Sequence, residues 1–167
     1  LRSRMVRDSM TGLLNHTTTH EFLANEVARA SRDKSKLCVA SLDIDHFKSV
    51  NDSHGHGVGD QVIKSLSRLL RQRLRSNDVI GRMGGEEFAA VLSGTSINEA
   101  EKIFNGVRQA FSEIEHPSGQ QKFSVTLSCG IAEYPTHETP VELLEAADKA
   151  LYEAKNSGRN RVRLDSV

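Results

Sequence analysis

The chain has 167 residues, 37% of them hydrophobic and 26% charged, which is enough apolar side chain for one buried core and too much for a disordered segment. Lys plus Arg total 22 and Asp plus Glu total 22, so the formal charge is zero; a nonspecific nucleic-acid binder would carry a basic excess, and only a local basic patch remains open to this chain. No apolar run approaches membrane-spanning length, no stretch reads as a secretory signal, and two cysteines, Cys38 and Cys129, are too few for a disulfide framework or a Cys-based zinc site, so a soluble cytoplasmic domain is expected.

Residues 1–7 read as the end of a linker or signalling helix arriving from upstream, with Leu1 opening a piece of a longer chain and the folded domain at 8–167. Asp8-Ser9-Met10-Thr11-Gly12 is turn chemistry. A helix is predicted over residues 18–32, where Thr18 and Glu21 have capping-box spacing. Residues 37–44 are nearly continuously apolar, as in a central strand covered on both faces, and end in Asp43-Ile44-Asp45. A short segment leads to the glycine-rich stretch 55–60, and a long helix follows with Val62, Ile63, Leu66, Leu69, Leu70 and Leu74 at helical period. Residues 78–83 and 86–92 read as two strands joined at Gly84-Gly85. Another amphipathic helix covers 96–115. Phe123, Val125, Leu127, Cys129 and Ile131 alternate with small or polar residues, the pattern of a half-buried strand. Leu143, Leu144, Ala147, Ala150, Leu151 and Ala154 mark a last helix that stops at Gly158, and 161–164 read as an edge strand.

The order strand–helix–strand–strand–helix–strand implies an α+β fold with a ferredoxin-like core, a mostly antiparallel central sheet flanked by helices. In that topology the first two strands run parallel and the third lies antiparallel between them, so the end of the first strand, at Asp43, meets the hairpin tip at residues 84–87. Asp43 and Glu86 then converge, with Glu87 beside them. Buried carboxylates are costly unless paired or bound to metal, and hard oxygen ligands at such a point suit Mg²⁺ together with substrate phosphates. Paired metals of this kind promote phosphoryl or nucleotidyl transfer. Taken singly, a strand-end Asp is a solvated cap and Gly-Gly-Glu-Glu a charged hairpin; two acidic sites predicted to meet favour function. Gly84 and Gly85 make a tight turn and also let a ligand lie against the backbone.

Gly84-Gly85-Glu86-Glu87-Phe88 resembles the signature of GGDEF-domain diguanylate cyclases in its GGEEF form. Residues 8–15 (DSMTGLLN) look like the family's opening turn. Residues 43–52 (DIDHFKSVND), with Gly55-His56 and Gly59-Asp60, follow its strand and nucleotide-binding helix. Residues 147–155 (ADKALYEAK), with Gly158-Arg159-Asn160, are similar to its final helix. The blocks run in order over almost the whole chain. The resemblance implies a core related to nucleotidyl cyclase and polymerase palm domains, and a Mg²⁺-dependent cyclase with two ions per active site, Mn²⁺ being an alternative. Asp43 and Glu86 would bind metal by side chain and Ile44 by its carbonyl, with Glu87 at the second metal or in the catalytic step. Asn51 and Asp60 would hydrogen-bond guanine. The backbone amides of His46, Phe47 and Lys48 would cradle phosphate, with Gly84 and Gly85 against the nucleotide. Lys155 and Arg159, one helical turn apart, would clamp the terminal phosphates, although the residues alone read as dipole-complementing charge at a helix end.

Arg75-Ser76-Asn77-Asp78, separated from Gly84 by five residues, matches the family's RxxD product-binding site in pattern and spacing. An Arg offers paired donors to guanine O6 and N7, and an Asp accepts from the amine edge. Arg71 and Arg73 read as a solvated face. The sequence departs from the family at His16, where Arg is more common, at His54, where an aromatic is, at Met83, where Tyr is, and at Gly106, where many relatives carry a second inhibitory Arg. Of the remaining histidines, His56 reads as structural and His46 and His54 as partly exposed.

The implied activity is condensation of two GTP into cyclic di-GMP and two pyrophosphates by a homodimer of half-sites, inhibited by its product and governed by an upstream sensor or receiver region. Neither nucleic-acid binding nor insertion of this domain into a membrane is expected, although the full-length protein could be membrane-attached. A non-catalytic cyclic di-GMP receptor acting through Arg75 and Asp78 is the alternative, and a GTP-binding switch a third reading; the intact Asp43, Glu86, Glu87 and Lys155 weigh against both.

Overall fold

The computed structural model describes residues 5–166. In chain order the elements are α1 (His16–Asp33), β1 (Leu37–Ile44), α2 (Phe47–His54), α3 (His56–Arg73), β2 (Val79–Gly84), β3 (Glu87–Ser93), α4 (Ile97–Ser112), β4 (His116–Ser118), β5 (Gln121–Phe123), β6 (Leu127–Tyr134), α5 (Pro140–Asn156) and β7 (Val162–Leu164). Five strands form one sheet in the order β2-β3-β1-β6-β7, antiparallel except for the β6–β7 pair at one edge. β1 and β2 therefore run parallel with β3 between them, as the element order requires.

All eight residues of β1 are buried, because helices cover both faces of the sheet. Successive side chains of a strand point to opposite faces. Cys38, Ala40, Leu42 and Ile44 join Leu66 and Leu70 of α3 and Phe104 and Val107 of α4 in the larger core. Leu37 and Val39 join Leu23 and Val27 of α1 and Leu143 and Ala147 of α5 in the smaller one. The next two positions on that second face are Ser41 and Asp43, so the apolar layer under α5 turns polar toward the strand's C-terminal end.

α5 reaches those two residues because β6 lets it approach. A Cβ at Gly130 would lie 2.2 Å from the Leu151 amide nitrogen and 2.3 Å from the Ala147 carbonyl oxygen, so only glycine allows this contact of helix and strand backbones. The close approach also makes β6 buried on both faces over Leu127–Ala132 rather than half-buried, its second face being built from Ser128, Gly130 and Ala132.

Several local expectations are corrected. The predicted strand from Phe123 onward is two elements: Phe123 closes the small β4–β5 hairpin and β6 begins only at Leu127. α1 starts earlier than expected, because Asn15, extended at φ −81°, accepts from the Thr18 amide at 2.9 Å and takes the cap assigned to Thr18. The segment before the glycine-rich stretch is the helix α2. Most of the upstream helix expected over residues 1–7 lies outside the described residues; within them Arg7 forms an isolated antiparallel bridge with Leu14. The structural histidine is His54, not His56: its ring stacks on Phe123 at 4.0 Å and its Nδ1 lies 2.7 Å from the Ser118 hydroxyl, holding α2 to the small hairpin, while His56 is exposed. Among the described residues no helix is long and apolar enough to cross a membrane.

Candidate active site

The β1–β3 register sets Asp43 opposite Glu87, and the Ile44 amide donates to the Glu86 carbonyl at 3.3 Å. The carboxylates of a central strand and a hairpin turn, more than forty positions apart in sequence, thus share one end of the sheet. The turn depends on Gly85, whose φ of +48° lies in the left-handed region that residues with a Cβ seldom adopt. Arg82 braces it, donating through Nε to the Gly85 carbonyl at 3.0 Å and through a terminal nitrogen to both Asp8 oxygens at 3.2 Å. Burial pushes the Asp8 carboxyl up, but the Thr11 hydroxyl and amide and the Arg82 guanidinium outweigh it and leave the group below its usual range. The opening turn therefore serves as an electrostatic foot for the hairpin.

Asp43 is 3% exposed. Burial raises its carboxyl to about 6; Lys155 opposes that rise, and Glu86 and Glu87 add to it. Lys155, in the last turn of α5, places Nζ 2.5 Å from Asp43 Oδ2. Asp148, two turns earlier on α5, accepts from the Ser41 hydroxyl at 2.6 Å. Asp45, the other carboxylate of the motif, is differently placed. Its oxygens accept from the Thr126 hydroxyl at 2.6 Å, the Ser128 hydroxyl at 2.7 Å and the Asn160 amide at 3.0 Å. Asp45 is fully engaged in tying the end of β1 to β6 and to the loop after α5, whereas Asp43 has a single cationic partner.

The α2–α3 corner carries the other expected substrate residues. Asn51 Oδ1 is buried without a hydrogen-bond partner, and a Cβ at Gly59 would come within 2.0 Å of it, so glycine there admits the Asn51 amide beside Asp60. His46 caps α2 in the left-handed conformation at φ +54°, Phe47 is buried as an anchor, and the first amides of α2 have no acceptor within the helix. Lys48 is exposed and pairs with Asp52 at 2.9 Å. Arg159 does not share a helix face with Lys155: α5 ends at Asn156, and Arg159 sits beyond it at φ +60° with its side chain exposed.

A cavity of about 510 Å³ opens on the α1–α5 side of Asp43, lined by His16, His20, Asp148, Glu87 and Lys155 among others. A second, of about 560 Å³, surrounds Arg75 and Asp78 and shares no lining residue with the first. There Arg75 donates to Asp78 Oδ1 at 2.9 Å and to the Ser93 carbonyl at 2.8 Å. Phe22, Glu26 and Arg29 of α1 complete the wall. Arg71 belongs to this wall and is not merely solvated, its guanidinium lying on the Thr11 carbonyl and, at 3.1 Å, on the Ser67 hydroxyl. Sequence carries no signal that brings Arg29 and Arg71 to this wall: helical phase alone places Arg29 near Glu26 but not near Arg75.

A profile described as diguanylate cyclase, GGDEF domain, matches residues 5–161. The chain belongs to the GGDEF family. It is 40% identical over 163 residues to the diguanylate cyclase DgcP of Pseudomonas aeruginosa, and 39% identical over 165 residues to the probable diguanylate cyclase DgcC of Escherichia coli. Those alignments cover 98% of this chain but only 24% of DgcP and 44% of DgcC, so the chain spans less than half of either relative. Among solved structures, the GGDEF domain of DgcB from Caulobacter crescentus in complex with cyclic di-GMP superposes with a TM-score of 0.94 at 32% identity, covering 100% of this chain and 97% of that one. The active GGEEF domain of a diguanylate cyclase from Vibrio cholerae superposes with a TM-score of 0.87 at 33% identity, covering 93% and 99%. In this GGDEF domain the signature Gly84-Gly85-Glu86-Glu87-Phe88 forms the β2–β3 turn and the start of β3, with Phe88 1% exposed in the core beneath it.

Proposed function

We propose that this GGDEF domain condenses two GTP molecules into cyclic di-GMP with release of two pyrophosphates. Each protomer would hold one GTP, and two protomers would face one another across a two-fold axis. The 3′-hydroxyl oxygen of each nucleotide forms a bond to the α-phosphorus of the other; the bridging bond to the β-phosphate breaks, pyrophosphate leaves, and the hydroxyl proton passes to a base or to water.

One juxtaposition carries this reading: Asp43 faces Glu87 across the sheet, with Glu86 on the adjoining turn. The donor set is entirely oxygen, including the Ile44 carbonyl, and Asp43 is a buried carboxyl whose charge is disfavoured first by burial and then by Glu86 and Glu87, although among the described residues the side chains do not themselves close into a cage of three. Both features fit Mg²⁺, or Mn²⁺, with two ions per site held jointly with phosphates. Such ions supply Lewis-acid neutralisation of phosphate charge and acidify the attacking hydroxyl. The protein's residues do the rest. Asn51, whose oxygen is otherwise unsatisfied, and Asp60 hydrogen-bond guanine. The amides of His46, Phe47 and Lys48 receive phosphate, and Gly84 and Gly85 keep the turn free of side chains. Lys155 exchanges the Asp43 carboxylate for the terminal phosphates, with the exposed Arg159 joining it from beyond the end of α5. Arg75 and Asp78 bind product outside the catalytic cavity.

The test is direct. Purified protein is incubated with GTP and Mg²⁺ and the products separated by anion-exchange chromatography. Cyclic di-GMP and pyrophosphate in a one-to-two ratio are expected; bound but unconverted GTP, or no cyclic dinucleotide at any protein concentration, would overturn the reading.

A further inference from the structure

His16 and His20 lie four residues apart on α1, on the wall of the cavity beside Asp43, and the proposed cyclisation uses neither. Their rings are 4.5 Å apart between centroids, and the two Nε2 atoms are 3.3 Å apart. That separation is the length of a hydrogen bond between the rings, and it is also the spacing of two ligands on one metal ion. Two imidazole nitrogens on one tetrahedral Zn²⁺, each at about 2.05 Å, stand roughly 3.3 Å from each other. Two side chains one helical turn apart on the same face need no rearrangement of the backbone to present such a pair.

We propose that His16 and His20 chelate a transition-metal dication of the Zn²⁺ class through their Nε2 atoms, at a site distinct from the carboxylates. Imidazole donors select Zn²⁺, Ni²⁺ or Cu²⁺ over Mg²⁺, which keeps to oxygen. Asp148, fixed by the Ser41 hydroxyl, places a negative charge facing His20, and Glu87 lines the same cavity. Among the described residues no three His, Cys, Asp or Glu side chains cluster as a complete cation cage. The site is accordingly a two-nitrogen chelate whose remaining positions are open to water or to an anion entering the cavity.

The experiment is a Zn²⁺ titration of the purified protein, without nucleotide and with excess Mg²⁺, against a chromophoric chelator. Saturable binding of one Zn²⁺ per chain is expected. Loss of an outer-shell partner alone costs a metal site about 10–100-fold in affinity, so His16→Gln and His20→Gln should each lose at least that much. Both side chains are exposed, and the variants should keep the parent melting temperature. Asp43→Asn should bind Zn²⁺ like the parent, which separates this site from the carboxylates and makes the result independent of whether the domain is a cyclase. Imidazole ¹⁵N spectra give a second readout, in which the Nε2 resonances of both residues shift together on adding Zn²⁺. No saturable Zn²⁺ binding, or unchanged affinity in either histidine variant, would reduce the pair to a hydrogen bond between two rings and overturn the proposal.

Discussion

At Asp43 the cost of burial and the need for a charge oppose each other. The folded carboxyl is raised to about 6 from an unfolded value of 3.8, so between those values the native state holds more protons than the unfolded chain. Stability therefore falls as pH rises through that window, and the ionised group is a net liability above it. Asp43→Asn should melt at a higher temperature than the parent at pH 7.5 in the absence of divalent cations, and the advantage should shrink toward zero near pH 4. Thermal denaturation across that range checks this; a melting difference that is flat with pH would show that Lys155 already neutralises the cost. At Asp60 the expectation is kinetic. A carboxylate facing N1–H and the 2-amino group accepts hydrogen bonds that adenine cannot offer, so Asp60→Ala should raise the GTP KM and reduce discrimination against ATP. Steady-state rates with both nucleotides decide it. Asp43 and the glutamates were legible in the sequence because a buried strand and a glycine hairpin announce themselves locally. The Lys155–Asp43 contact was not, because the residues are 112 positions apart and nothing local records how closely α5 approaches β6.

At the scale of elements, that approach is the one most exposed to a small change. Gly130→Ala would push a methyl group into the backbone of α5 at Leu151 and Ala147. Overpacking of this kind costs roughly 1–3 kcal/mol. Because α5 must lift, Lys155 moves away from Asp43, and the variant should show both a lower melting temperature and a higher GTP KM; a stable variant with an unchanged KM would mean that α5 does not set the lysine's position. The strand order was readable from the succession of hydrophobic patterns, and with it the meeting of β1 and the β2–β3 turn. The β4–β5 hairpin was not readable, since its strands are three residues each and Phe123 continues by chance the alternation of β6. The end of α5 was readable to within about a residue of Gly158, but the helical spacing of Lys155 and Arg159 misled, because Ser157 caps the helix between them.

For the molecule as a whole, the proposed function divides between the two cavities, which share no lining residue. The proposed product site wraps the start of β2 and the proposed catalytic carboxylates stand at its far end, so a ligand at Arg75 would act on the signature turn only through the strand or through a second protomer. A bidentate Arg–guanine contact is worth about 1–3 kcal/mol, so Arg75→Ala should weaken cyclic di-GMP binding by roughly ten-fold to a hundred-fold while GTP turnover persists. Calorimetry reads the first quantity and an inhibition curve the second; equal affinity in parent and variant would remove Arg75 from the site. The exposed large hydrophobics among the described residues are Met5, Val6, Phe22, Val141 and Tyr152. Half-sites that meet only transiently should give a specific activity that rises with protein concentration, and a constant specific activity in a species sedimenting as a monomer would contradict that assembly.

The most direct measurement is the initial rate of cyclic di-GMP formation from GTP and Mg²⁺ by Glu86→Gln beside the parent, with circular dichroism and melting temperature recorded on both. An amide preserves the size of the side chain and removes the charge that a divalent cation requires. Formation of cyclic di-GMP by the parent and background rates in an equally folded variant are expected; an undiminished rate in folded Glu86→Gln would contradict a catalytic centre built where the end of β1 meets the signature turn.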